Sequence, residues 1–179
     1  MVDLHFRIAT PTDAPSIQQL VQSAFRAEDS RKDWTADMAL GRSFTVSVED
    51  VQTTIAKPEC VILLAFTKDH DRDILVASID VTKRANDHVR ISMVAVNLEY
   101  QQAGIGRRVL AYAEEYSRQE WGVTTSGLNA LSTRQELIAW YLRRGYQKTG
   151  EESPFPREKF PHLALPEDMC FVEMMKQLA

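Results

Sequence analysis

The sequence predicts an α/β (α+β) fold in a single domain over residues 1–179: a mixed, mostly antiparallel sheet of about six to seven strands with helices on both faces. Three observations carry this. Short apolar runs alternate along the chain with stretches of helical periodicity. Three strand-like runs in the middle, 60–66, 74–81 and 89–96, are separated only by short polar turns, the pattern of an antiparallel meander. Finally, 44% apolar and 26% charged residues in a chain of 179 supply one real core. No internal repeat and no linker divides the chain.

Leu4, Phe6 and Ile8 alternate with polar residues and predict a first strand. Thr10 to Pro15 turns into a helix with Asp13 at its N-cap, where Ile17, Leu20, Val21, Ala24 and Phe25 form a core-facing stripe. Residues 26–34 are charged, end in Trp34 and read as a loop. Trp34 and Phe44 are large apolar residues in polar company, which either wall a ligand site or tuck back onto the core. Val48, Val51 and Ile55 predict a second helix, closed by Pro58. After the meander, a helix over 104–121 turns Ile105, Val109, Ala113 and Tyr116 inward. Thr124 to Leu131 is a strand. Ser132 or Thr133 caps a helix over 134–144 that buries Leu137, Ile138, Tyr141 and Leu142 and stops at Gly145. Tyr146 to Thr149 begins a further strand. Pro154, Pro156, Pro161 and Pro166 exclude helix and central strand from their segment, and 170–174 is the last strand.

Composition narrows the function. The net charge of -4, with no basic tract, argues against a nucleic-acid partner. No run of about 18 apolar residues is present, so no membrane span is expected. Cys60 and Cys170 lie in strand-like runs, and His5, His70, His88 and His162 are scattered as surface or loop residues. No metal-ligand spacing arises, and no metal is expected. The N-terminal residues lack a signal peptide's apolar core, and the expectation is a soluble, cytoplasmic protein with reduced thiols.

The stretch from Val94 to Val109 organises the chain. An apolar strand runs into a polar turn, then into a helix start carrying Gly104 and Gly106. Glycines there let a ligand approach the backbone, and the exposed N–H groups and dipole of a helix start suit an anion, most naturally a phosphate. A dinucleotide-binding G-x-G-x-x-G is excluded because its third glycine position is Val109. A P-loop is excluded because Arg107 and Arg108 follow Gly106.

What fits is Gln101-x-x-Gly104-x-Gly106, which resembles the acyl-CoA pyrophosphate loop of the GNAT superfamily of N-acetyltransferases. A second motif, Glu136-Leu-Ile-Ala-Trp-Tyr141-Leu-Arg-Arg-Gly145-Tyr146, is similar to that superfamily's helix ending in Y-x-x-x-G-F. The order of elements resembles the GNAT fold over essentially the whole chain.

The resemblance implies an acetyl-CoA-dependent N-acetyltransferase acting on a primary amine by direct attack through a tetrahedral intermediate. It places the N–H of Val94 at the oxyanion of that intermediate and pairs Val94 and Val96 with the pantetheine arm. Gln101, Gln102, Ala103, Gly104, Ile105, Gly106 and Arg107 would hold the pyrophosphate. Tyr141 stands where the family has the phenol that protonates the leaving thiolate. Arg134 replaces an asparagine common in the family and would lie beside the CoA chain. The glutamate base of histone-type members is replaced by Arg90. Glu28, Asp29, Asp80 and Glu136 are available carboxylates, and spacing favours none. On the acceptor side, Arg26, Arg31, Arg42, Arg90 and Trp34 suit a small-molecule amine with an anionic group. Alternatives are a non-catalytic acyl-CoA-binding regulatory module and a protein or peptide N-acetyltransferase. The edges of such a sheet leave room for a homodimer.

Overall fold

A computed structural model of the chain describes residues 1–27 and 38–179. Seven strands, β1 (His5–Ile8), β2 (Cys60–Asp69), β3 (Arg72–Arg84), β4 (His88–Val96), β5 (Thr125–Leu131), β6 (Gln147–Pro154) and β7 (Cys170–Gln177), form one sheet in the order β1-β2-β3-β4-β5-β7-β6. Every pairing is antiparallel except β4 with β5. The helices are α1 (Ala14–Arg26), α2 (Met38–Ser43), α3 (Val48–Ala56), α4 (Ile105–Trp121) and α5 (Gln135–Arg143). The mixed, mostly antiparallel sheet expected from the sequence is present.

Strand alternation sends side chains to two cores. Ile62, Leu64 and Phe66 meet Ile17, Leu20 and Val21 of α1 and Val51 of α3. Leu63, Ala65, Ile79 and Val81 meet Ile105, Val109 and Leu110 of α4 and Leu137, Ile138 and Tyr141 of α5. Each fully buried aliphatic chain contributes about 1.5–3 kcal/mol, which is why helices cover both faces. α3 starts in a reciprocal cap: Ser47 Oγ accepts the Asp50 N–H at 3.0 Å, and the Asp50 carboxylate accepts the Ser47 N–H at 2.8 Å.

Several local expectations are corrected. α2 was not foreseen, being six residues long with Gly41 inside. Leu142 is 44% exposed rather than buried, because α5 turns that side to solvent. α5 takes Arg134 as its N-cap with no side-chain cap bond. Ser132 Oγ instead accepts the Cys170 N–H at 3.1 Å, and Thr133 Oγ1 is buried with no partner among the described residues. Pro154 closes β6, which is tolerated because β6 is an edge strand. His88 is a half-buried strand residue. No helix among the described residues is long and apolar enough to cross a membrane.

Candidate active site

β4 and β5 share only three rungs: His88 with Thr125, Val89 with Ser126, and Arg90 with Gly127. Beyond them β4 stays with β3 to Val96, while β5 continues with β7 to Leu131. The two strands part, and the sheet opens into a V. Its closed end is fixed by side chains. His88 Nδ1 lies 3.1 Å from Thr125 Oγ1, and the Asp87 carboxylate accepts the Thr124 hydroxyl at 2.6 Å. The His88 ring lies so close over Gly127 that a Cβ there would fall 2.6 Å from His88 Cε1.

The β4 wall of the V carries a bulge. Asp80 pairs with Ser92 and Ser78 with Ala95, so Ile79 alone opposes Met93 and Val94, and Met93 adopts φ 50°. The extra residue shifts the alternation by one. Val89 and Ile91 face the α4–α5 core before it, and Val94 and Val96 face that core after it, while Met93 and Ala95 turn to the α1–α3 core. Without the bulge, Val94 and Val96 would point the other way.

A 3-10 turn, Leu98–Ala103, carries Gln101, Gln102 and Ala103 to Gly104, which takes φ 69° as the N-cap of α4. No side chain caps this helix. Its ladder begins with the Arg108 N–H donating to the Gly104 carbonyl at 3.3 Å, so the N–H groups of Ile105, Gly106 and Arg107 have no intrahelical acceptor. A Cβ on Gly106 would lie 3.8 Å from both Trp140 Cζ2 and Val96 Cγ2, ordinary contact. The fold therefore does not need glycine at 106, and close approach of a ligand to the backbone gives it a use. Free N–H groups at the positive end of a helix suit an anion such as a phosphate.

Tyr141 is buried and packs edge-on against Trp140 at 5.1 Å and Tyr146 at 5.9 Å. No described residue hydrogen-bonds its hydroxyl. Burial pushes this phenol up to about 12, with the Arg134 charge opposing, so it holds its proton at neutral pH. Tyr146 is the contrast. Its hydroxyl lies 3.0 Å from Ser126 Oγ and donates to Glu114 at 2.9 Å, and Lys176 Nζ donates to the same carboxylate at 2.6 Å. One tyrosine is tied into the fold by its hydroxyl, and the other is held by ring packing alone among the described residues.

The acceptor-side residues are only partly assembled. Arg26 Nε donates to the Phe44 carbonyl at 2.6 Å, tying the end of α1 to the chain after α2. Arg42 lies in the last turn of α2. Arg90 is held by Glu173. Trp34, Arg31, Glu28 and Asp29 lie outside the described residues, and Glu136 is exposed on α5. A polar cleft of about 730 Å³ opens beside the closed end of the V, lined by Arg84, His88, Arg90, Glu152, Ser153 and Glu173 among others. Sequence reasoning missed Trp140, which the second motif already contained, and missed Glu173, which nothing local marks. Among the described residues no cluster of His, Cys, Asp and Glu could hold a metal.

A sheet opened between two parallel strands, a bulge on one wall, and an uncapped glycine helix start beside it define an acyltransferase architecture. Residues 16–146 match the acetyltransferase (GNAT) family, and the chain belongs to that family. No curated protein matches the sequence. Solved structures share the fold. The ribosomal-protein-S18-alanine N-acetyltransferase of Escherichia coli superposes with a TM-score of 0.70 at 16% identity, covering 99% of this chain and 95% of that one. The spermidine N-acetyltransferase of Vibrio cholerae, solved with CoA and spermine, gives 0.68 at 12% identity over 98% and 95%. An IAA acetyltransferase from Bacillus cereus gives 0.66 at 14% identity over 98% and 100%.

Proposed function

We propose that this protein transfers the acetyl group of acetyl-CoA to a primary amine of a small molecule. The observation that carries the reading is the V between β4 and β5 with the Met93–Val94 bulge on its wall. The N–H groups of Ile105, Gly106 and Arg107 bind the diphosphate, with Gln101, Gln102 and Ala103 leading into the turn. Val94 and Val96 line the thioester arm as a neighbouring strand would, and Arg134 lies beside it near Tyr141. The Val94 N–H stabilises the oxyanion as the amine attacks. Tyr141 gives its proton to the departing sulfur.

A thermal-shift titration tests the binding half. A saturable rise with acetyl-CoA, and none with ATP, is expected. At about 100 times Kd the gain is roughly 2.7 kcal/mol. Amine-dependent release of free CoA then tests the transfer half, and binding without release from any amine would leave only a CoA-binding module. A peptide panel run beside small amines separates a peptide acceptor from a small-molecule one.

A further inference from the structure

We propose that Asp80 is the general base of this reaction, the group that takes a proton from the incoming ammonium; the assignment rests on the acetyltransferase reading above. Asp80 lies on β3 directly opposite Ser92, the last rung before the bulge, and opposite Ile62 on its other side. Opposed residues share a face, so Asp80 stands on the α1–α3 side of the sheet, to which the bulge turns Met93.

A second carboxylate on this side, Glu173, is already committed. Arg90 donates to Glu173 at 2.6 Å, and Asn129 and Ser153 donate to the same carboxylate at 3.1 and 2.9 Å. Burial pushes Glu173 up, but these hydrogen bonds outweigh it and hold the group below the usual range. It stays ionised and is a poor proton acceptor. No described residue hydrogen-bonds the Asp80 carboxylate, and the residue keeps part of its surface open. Desolvation pushes it up to about 7, with Lys57 opposing. Among the described residues the ionisable groups around it are Cys60 from β2, whose thiol feels the Asp80 charge, Lys57 from the turn after α3, and Arg90 from β4. α1 and α3 bring Ile17, Leu20, Val21 and Val51 to this face. A largely buried carboxylate that no described residue hydrogen-bonds costs stability. A base poised near neutral pH gives it a use.

The protons balance. Asp80 takes one from the ammonium and later returns it to water. The neutral amine forms the C–N bond to the thioester carbon. As the C–S bond breaks, Tyr141 gives its proton to sulfur and is reprotonated from the new amide nitrogen.

Two measurements test the assignment. The first needs no acceptor: carboxylate ¹³C NMR of the full chain with acetyl-CoA, the Asp80 signal assigned by its loss in Asp80→Asn. A midpoint near pH 7 is expected, and one near the ordinary aspartate value overturns the proposal. The second follows initial rates with acetyl-CoA and spermidine, or an alanyl peptide, across pH. Asp80→Asn should keep the acetyl-CoA thermal shift, lose about 10²-fold in kcat/KM at neutral pH and lose the acidic limb of the profile, while Asp80→Glu restores part of the rate. A variant that keeps both rate and limb overturns the assignment and leaves the acetyltransferase reading intact. Absence of any acetyl-CoA shift in the wild type would instead remove that reading.

Discussion

From either side of β5, Arg90 Nη1 and Glu173 Oε2 meet at 2.6 Å. Asn129 and Ser153 complete the cluster, so β4, β5, β7 and β6 are bound together where the sheet begins to open. Both charges are largely buried, with side-chain exposures of 26% and 17%. Removing one partner strands the other. Glu173→Gln is expected to cost about 1–3 kcal/mol at neutral pH. The sign with pH follows from the lowered folded-state pKa. The stabilisation is complete above the unfolded carboxylate value and fades as pH falls through the folded one. Melting curves of wild type and variant should therefore differ at neutral pH and converge in acid. Equal gaps at both would refute the pairing as a charge effect.

The two glycines of the binding turn separate fold from function. Gly104 needs its φ of 69°, so Gly104→Ala should cost about 1–2 kcal/mol of stability. Gly106 sits inside α4 with room for a methyl group, so Gly106→Ala should hold or raise stability by up to about 1 kcal/mol. In the binding mode proposed above, the same methyl would crowd the diphosphate at the backbone. Acetyl-CoA affinity is expected to fall at least about 10-fold, a change of roughly 1.4 kcal/mol. Denaturation midpoints and ligand titrations on both variants decide this. Unaltered affinity in Gly106→Ala would move the diphosphate elsewhere.

Much of this was legible along the chain, because strand alternation, helix stripes and the glycine turn are local patterns. The V was not. Residues 89–96 read as one continuous strand, and nothing in Ser92-Met93-Val94-Ala95 announces a bulge. What places it is that Val94 and Val96 must reach the α4–α5 core while Met93 and Ala95 reach the other. The opening itself depends on β5 choosing β7 as its partner, a long-range pairing. Asp80 was one carboxylate among four until the register set it opposite Ser92. Leu142 satisfied the helical stripe and still faces water, because the sheet surface under α5 is filled by Leu137, Ile138 and Tyr141.

The closed end of the V offers a coupled pair. A methyl group at 127 would meet His88 Cε1 and Nε2 at 2.6 and 2.7 Å, so Gly127→Ala must drive the imidazole off Thr125. A cost of about 1–3 kcal/mol is expected. In a His88→Ala background the obstruction is gone, and the same substitution should cost little. A double-mutant cycle measures the difference. Additive costs would mean that the imidazole does not hold the strands together there.

Tyr141 and Tyr146 should respond in opposite ways to loss of the hydroxyl. Tyr146→Phe removes the contacts to Ser126 and Glu114 and leaves a buried carboxylate short of a donor, so about 1–3 kcal/mol of stability should be lost. Tyr141→Phe deletes a hydroxyl that no described residue bonds, so the melting temperature should scarcely move. Its effect belongs in the chemistry: kcat is expected to fall about 10²-fold, with acetyl-CoA affinity unchanged. The pH profile sharpens the test. A phenol pushed up to about 12 stays protonated throughout the assay range, so this group imposes no alkaline fall in the wild-type rate. If Tyr141→Phe turns over at the wild-type rate, sulfur receives its proton from elsewhere. If it loses stability instead of rate, the ring is a core residue and its hydroxyl has no catalytic part.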